Sequence, residues 1–366
     1  MSEAIKPDHV RLFIPGPIEV RKEILEAQSA WMIGHRGSEF EKLFSSLQGK
    51  LRQLFYTQSR VYVSTSSGTG LWEAASRNCI RDDKKVLHLV NGAFSERWAG
   101  VSESNAKQVD TIEVDWGKSV KVEQLEEQLK KQTYDAVAIV LNETSTGVKA
   151  PLEDMVKVIQ QYPDTLILVD AVSILGGYKI DFDGLGLDVL LTSTQKAMAL
   201  PPGLSFAAVS DRVLERAKQV PYRGYYFDFI ELENFLLKNN TPSTPNISLM
   251  YAADKEMDYI LAEGLDARFA RHQKMAEMTR AWAKGCGFEM FSEEGYHSPT
   301  VSTIANTRNI DISGLNKFLK TLGMTLSDGY GKLKGKTLRI AHMGDLMPGD
   351  VQELLDGINA FIAKGA

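Results

Sequence analysis

The sequence predicts an α/β protein, with a large domain on a mostly parallel sheet and a smaller C-terminal α+β domain. Three observations carry this. From about residue 60 to residue 209, short β-rich runs alternate with helix-like stretches, the rhythm of parallel strands covered by helices. Some runs are apolar throughout, as in Ala136-Val137-Ala138-Ile139-Val140-Leu141, which suits a strand buried on both sheet faces. The chain has 366 residues, more than one hydrophobic core ordinarily organises, so two domains are expected.

Taken in order, a short extended arm leads to the rigid turn Pro15-Gly16-Pro17. A helix can run over residues 20–31 and a second over 38–55. Strands are predicted at 60–64, 85–90, 109–114, 136–141, 166–169, 189–192 and 204–209. Helices between them are predicted at 70–78, 97–104, 120–129 and 152–161. After Pro221 the pattern fades: Tyr222-Arg223-Gly224-Tyr225-Tyr226-Phe227 reads as an aromatic turn or loop, and Thr241-Pro242-Ser243-Thr244-Pro245 as a strong break. A long helical region over 248–284 follows, then strand candidates at 300–304 and 337–341. The expected domains are 15–245 and 246–366, with 1–14 joining the second by fold analogy.

Composition narrows the function classes. With 43% hydrophobic and 24% charged residues, the chain reads as an ordinary globular protein. A net charge of −5 with no basic block argues against nucleic acid as the main partner. Cys79 and Cys286 are too far apart for a CxxC motif, and point to a reducing cytoplasm without a disulfide framework. Glu3, Lys6, Asp8, His9 and Arg11 leave no signal-peptide core near the first residue. No stretch approaches the roughly 18 apolar residues of a membrane span.

The chemistry-bearing residues fall at strand ends. Lys196, in Ser193-Thr194-Gln195-Lys196, follows the apolar run Leu187-Asp188-Val189-Leu190-Leu191. An amine held there in a cleft can form a Schiff base with an aldehyde; the competing reading is a solvated lysine opening a helix. Asp170 ends Leu166-Ile167-Leu168-Val169-Asp170. It is either an N-cap or the acid that binds the ring nitrogen of an aldehyde cofactor. Ser64-Thr65-Ser66-Ser67-Gly68-Thr69-Gly70 lies between a strand and a helix, where hydroxyls and free helix N–H groups can hold a phosphate. Phe94 follows a core strand and could stack on a flat ring or belong to the core. The segment Thr144-Ser145-Thr146-Gly147 offers a hydroxyl. Arg339, in Leu338-Arg339-Ile340-Ala341, could grip a carboxylate bidentately or make a structural salt bridge.

Other signals fail. Gly331-Lys332-Leu333-Lys334-Gly335-Lys336-Thr337 has three residues between its glycines where a P-loop has four. The six histidines form no metal pattern, and no GxSxG nucleophile elbow is present.

Together these residues resemble the fold-type I, class V pyridoxal-phosphate aminotransferases, most of all the alanine–glyoxylate, serine–glyoxylate and serine–pyruvate transaminase branch. The similarity runs in order through Pro15-Gly16-Pro17, Gly34-His35-Arg36, Ser67-Gly68-Thr69-Gly70, Asn91-Gly92, Glu143-Thr144-Ser145-Thr146-Gly147, Val169-Asp170-Ala171-Val172, Ser193-Thr194-Gln195-Lys196-Ala197, Thr241-Pro242-Ser243-Thr244-Pro245 and Leu338-Arg339-Ile340. The resemblance implies that Lys196 forms the Schiff base with pyridoxal 5'-phosphate and that Asp170 binds its ring nitrogen. Ser67, Gly68 and Thr69 match the phosphate loop, and Gln195 contributes beside the lysine. Phe94 stands where the branch often has tryptophan, Thr144 lies near the ring, and Val172 packs on its other face. Thr241 and Thr244 match a segment that a neighbouring subunit contributes, which implies a homodimer. Arg339 matches the arginine that binds the substrate carboxylate.

The implied reaction moves an amino group from a small amino acid such as alanine or serine to glyoxylate or pyruvate, with Lys196 carrying the proton. No second arginine is evident near the N-terminal arm, which disfavours dicarboxylates; Arg36 and Arg223 have no assigned place. Three alternatives remain: an aminophosphonate transaminase, a nicotinamide-dependent oxidoreductase and a non-catalytic interaction scaffold. The oxidoreductase lacks a GxGxxG fingerprint, and the scaffold leaves the loop, acid, lysine and arginine unexplained.

Overall fold

The computed structural model describes residues 9–364. Residues 1–8 of the predicted arm and the last two residues of the predicted C-terminal domain lie outside them. In chain order the strands are β1 (Arg11–Phe13), β2 (Arg60–Ser64), β3 (Lys85–Val90), β4 (Gln108–Glu113), β5 (Ala136–Val140), β6 (Asn142–Glu143), β7 (Val148–Lys149), β8 (Leu166–Asp170), β9 (Val189–Ser193), β10 (Ser205–Val209), β11 (Glu289–Met290), β12 (Val301–Ala305), β13 (Met324–Asp328) and β14 (Thr337–Ala341).

A seven-stranded sheet runs β2-β10-β9-β8-β5-β3-β4. All its pairs are parallel except those of β10, which is antiparallel to both β2 and β9. Strands β5, β8, β9 and β10 are buried at every residue, which explains their largely apolar sequences. Side chains nevertheless alternate between two cores. Val137, Ile139, Ile167 and Val169 pack with Phe40, Phe44 and Leu51 of helix Ser38–Phe55. Ala136, Ala138 and Leu168 pack with Trp72 and Trp98 on the other face. The alanines leave room for these two indoles, which stack at 5.9 Å with an interplanar angle of 14°.

A five-stranded sheet runs β1-β13-β14-β12-β11, so the chain's first strand joins its C-terminal part. β1 pairs in parallel with β13 through Phe13↔Leu326. Phe13, Ile304, Leu338 and Ile340 pack against Leu354 and Ile358 of helix Pro348–Ile362. That helix, Ile312–Thr321 and β13 were not anticipated by the sequence reading. β13 is only half-buried, and Thr325, Ser327 and Asp328 break up its apolar residues, which leaves a weak apolar signal.

Two expectations need correction. The helix predicted at 20–31 is only Lys22–Ala27; beyond it Trp31 and Met32 are exposed and have no core to join. The helical region 248–284 is two helices, Ile247–Glu263 and Leu265–Gly285. Gly264, at φ +84 and ψ 130, divides them. Ile247, Leu249, Met250, Met257 and Ile260 of the first helix lie in the same core as the large sheet.

The backbone angles of Gly264 fall where a β-carbon is strained whatever space surrounds it. Gly264→Ala should therefore cost about 1–3 kcal/mol and lower the melting temperature, with kinetic constants unaltered. Calorimetry at a fixed scan rate, beside steady-state kinetics, checks this.

Candidate active site

Parallel strands deliver their C-terminal ends to one edge of the sheet, where side chains from separate loops converge. Here that edge holds a cavity of about 280 Å³ lined by Ser67, Gly68, Thr69, Phe94, Thr144, Asp170, Val172, Gln195 and Lys196. Nine residues singled out in the sequence thus share one cavity. Arg339 is buried beside it on β14, its guanidinium 3.4 Å from the Thr144 carbonyl oxygen.

Thr241 and Thr244 do not join them. They line a separate cavity of about 20 Å³ with Pro242, Ser243 and Pro245. Thr241 is buried with its hydroxyl on the Ser243 carbonyl at 2.9 Å, whereas Thr244 is exposed. Arg36 clamps this segment through the carbonyls of Thr241 and Pro242. Arg223 instead pairs with Asp228 at 2.9 Å, away from the cavity.

Asp170 ends β8 and is 4% exposed. One carboxylate oxygen accepts the Val172 N–H and the other the Trp72 indole N–H, both at 2.7 Å. Burial outweighs these bonds and pushes the carboxyl up to about 7. No helix starts after Asp170, so it is not an N-cap; one oxygen instead holds the turn after β8. Lys196 follows β9 and donates from Nζ to the Pro15 carbonyl. A β-carbon on Gly16 would stand 2.7 Å from the lysine's side-chain carbons and amine, and its φ of +125 is strained for other residues, so glycine lets the Pro-Gly-Pro turn close over the lysine without displacing it. Burial first, then the Arg339 charge, lower the amine to about 8.

The loop after β2 becomes helix Gly68–Cys79, with Ser67 as its cap residue. A β-carbon at Gly68 would meet Val172 Cγ2 at 2.5 Å, so glycine lets the helix start approach the turn after Asp170. Ser67 and Thr69 are exposed and their hydroxyls are available. Ser193 Oγ and Gln195 Oε1 are buried without partners, a cost normally offset by a ligand or water. Arg339, lowered to about 10 by burial, contacts the carbonyl oxygens of Asp328 and Thr144. Among the described residues it has no carboxylate partner. The set fits a flat, phosphorylated aldehyde: a helix start, orphaned polar atoms, an amine, an acid and aromatic Phe94.

Other contributors leave little trace in the sequence, Trp72, Glu143 and Asn142 among them. Trp72 lies one helical turn after Gly68, and a buried indole N–H needs an acceptor; that spacing was the available signal. Glu143 is fully buried and accepts the N–H groups of Phe94 at 3.0 Å and Ser95 at 2.9 Å. It thereby anchors the start of helix Ala93–Ser104 and fixes Phe94. Asn142 lines the cavity and donates to Ser173 Oγ at 2.7 Å. The last two contacts join separate loops and left no local pattern.

Comparison with known proteins agrees with this geometry. The sequence profile of the family described as aminotransferase class-V matches residues 20–332. An aminotransferase of Methanocaldococcus jannaschii is 35% identical, the alignment covering 91% of this chain and 87% of the relative. The L-aspartate–glyoxylate aminotransferase of Paracoccus denitrificans is 32% identical over 92% of this chain and 86% of its own. The solved alanine–glyoxylate aminotransferase from Nostoc superposes with a TM-score of 0.92 at 27% identity, covering 99% of this chain and 97% of that one.

The raised carboxyl gives a pH test of the cofactor-free protein. Both folded and unfolded Asp170 are protonated below about pH 4. Between about 4 and 7 only the unfolded state releases the proton, so this group's contribution to stability falls as pH rises and levels off above 7. Asp170→Asn removes that loss. Its melting temperature should gain on wild type from pH 4.5 to 8, by an equivalent of up to about 4 kcal/mol; a difference independent of pH would refute the assignment.

Proposed function

Because the chain belongs to the class-V aminotransferase family, and is a pyridoxal-phosphate-dependent transaminase, we propose that it moves an amino group from a small amino acid such as alanine or serine to glyoxylate or pyruvate. The observation that carries this reading is the buried Arg339, which lacks a carboxylate partner and whose charge reaches Lys196. It suits a substrate carboxylate held next to the amine. Glyoxylate is the acceptor in the names of both the Paracoccus and the Nostoc enzymes.

When bound, the cofactor supplies an aldehyde that carries the amino group between substrates and a ring that accepts electron density. Ser67, Gly68, Thr69 and Gln195 would hold its phosphate, Thr144 its phenolic oxygen, and Phe94 and Val172 its two faces. Asp170 would hold the ring nitrogen. A positive partner there favours the ionised carboxylate and removes the strain of a buried, half-titrated acid. Lys196, lowered to about 8, has an appreciable neutral fraction near pH 7 and can take a proton from the substrate α-carbon and return it. Arg339 orients the α-carboxylate so that the Cα–H faces that amine.

We also propose a homodimer that completes the phosphate site with the partner's copy of the segment carrying Thr241 and Thr244. Ser67 and Thr69 are open on one side, Thr244 is exposed, and Trp31, Met32, Tyr222 and Tyr225 form unusually exposed apolar surface. No described helix is long and apolar enough to cross a membrane. Two free cysteines fit a reducing, cytoplasmic setting.

Borohydride reduction of the holoenzyme should fix the cofactor on the Lys196 peptide, and Lys196→Ala should abolish both label and turnover. Arg339→Ala should cost about 3 kcal/mol, roughly a hundred-fold in kcat/KM for every donor. A panel of donors against several 2-oxo acids tests the substrate reading: alanine or serine with glyoxylate should lead, and a preference for an aminophosphonate would defeat it. Sedimentation with activity assayed on the same fractions should place activity in the dimer; a fully active monomer would refute the shared site.

A further inference from the structure

A second arginine reaches the same cavity. Arg97 lies one turn beyond Phe94 in helix Ala93–Ser104 and lines the cavity with Lys196 and Asp170. Its guanidinium donates to the Tyr330 hydroxyl at 2.7 Å and stands 5.3 Å from the centroid of the Phe94 ring. The Arg339 guanidinium faces the same tyrosine, 5.5 Å from its ring centroid, and the Tyr330 and Phe94 rings are 5.2 Å apart. One tyrosine therefore braces both arginines against one wall.

The two arginines differ in setting. Arg339 is buried; Arg97 is exposed at the cavity mouth. Of the five N–H donors on a guanidinium, Arg97 uses one, on Tyr330. Among the described residues no carboxylate pairs with it. A monocarboxylic substrate engages Arg339 and leaves Arg97 facing water, whereas a substrate with a second anionic group can engage both.

We propose that Arg97 is a second anion subsite that recognises the side-chain carboxylate of dicarboxylic amino acids and 2-oxo acids, giving the enzyme aspartate- or glutamate-class substrates beside its small ones. The inference rests on the reading in which Arg339 takes the α-carboxylate. Tyr330 is a positioning residue: it holds the guanidinium above Phe94 and leaves its remaining donors toward the cavity.

The test uses wild-type holoenzyme, Arg97→Ala and Arg97→Lys, with kcat/KM measured for L-aspartate, L-glutamate and L-alanine against glyoxylate. Arg97→Ala should lower the ratio of dicarboxylate to alanine by about ten-fold or more for at least one dicarboxylate, and Arg97→Lys should recover part of it. An unchanged ratio overturns the subsite, even if all donors fall together. So does a wild-type enzyme that turns over neither dicarboxylate. Wild type active on a dicarboxylate but inactive on alanine and serine would sink the small-donor reading and leave the subsite standing.

Discussion

The structure depends on keeping one carboxyl group where water cannot solvate it. Asp170 sits at the end of a strand buried on both faces, and burial alone would leave it protonated well above its ordinary range. The fold answers with two donors from different elements, the backbone N–H of Val172 and the indole N–H of Trp72. Trp72 is held in turn by stacking on Trp98, which meets His88 edge-on at 5.6 Å. Burial lowers that histidine to about 3 and keeps it neutral. The acid is thus seated on an aromatic layer, and the small residues of β5 make space for that layer.

Charges of opposite sign are arranged around this acid without being paired off. Lys196 and Arg339 are not in salt bridges with Asp170 or Glu143; burial lowers both cations, and the Arg339 charge lowers Lys196 further. Glu143 spends its carboxylate on the N–H groups of Phe94 and Ser95 and on the Ser145 hydroxyl. A protein selected only for stability would close these charges on one another. Leaving them open is the mark of a site whose missing partners arrive with its ligands.

Much of this was legible in the sequence because parallel strands end where chemistry happens. Asp170, Lys196, Phe94 and the loop at Ser67 each follow a run of apolar residues, and strand ends are local features. Arg339 was legible from its alternation with Leu338 and Ile340. The Trp72 bond to Asp170, the Glu143 bonds to the start of the Phe94 helix and the approach of Arg97 to Tyr330 were not, because each spans elements far apart in sequence. Gly264 does not stand out in the sequence, since one glycine in a long periodic stretch costs only about 1 kcal/mol in a helix and its positive φ leaves no trace in periodicity. Thr241 and Thr244 were legible as a motif, yet one chain keeps them apart from the cavity.

The most direct measurement is a single half-reaction. L-Alanine added to the yellow holoenzyme with no acceptor present should bleach the near-visible band once and release one pyruvate per subunit; glyoxylate should then restore the band with stoichiometric glycine. That outcome is the one expected of a site that stores the amino group between substrates, the task proposed for Lys196, Asp170 and Arg339 together. Continuous pyruvate release without an acceptor, or bleaching that yields no 2-oxo acid, would contradict the account.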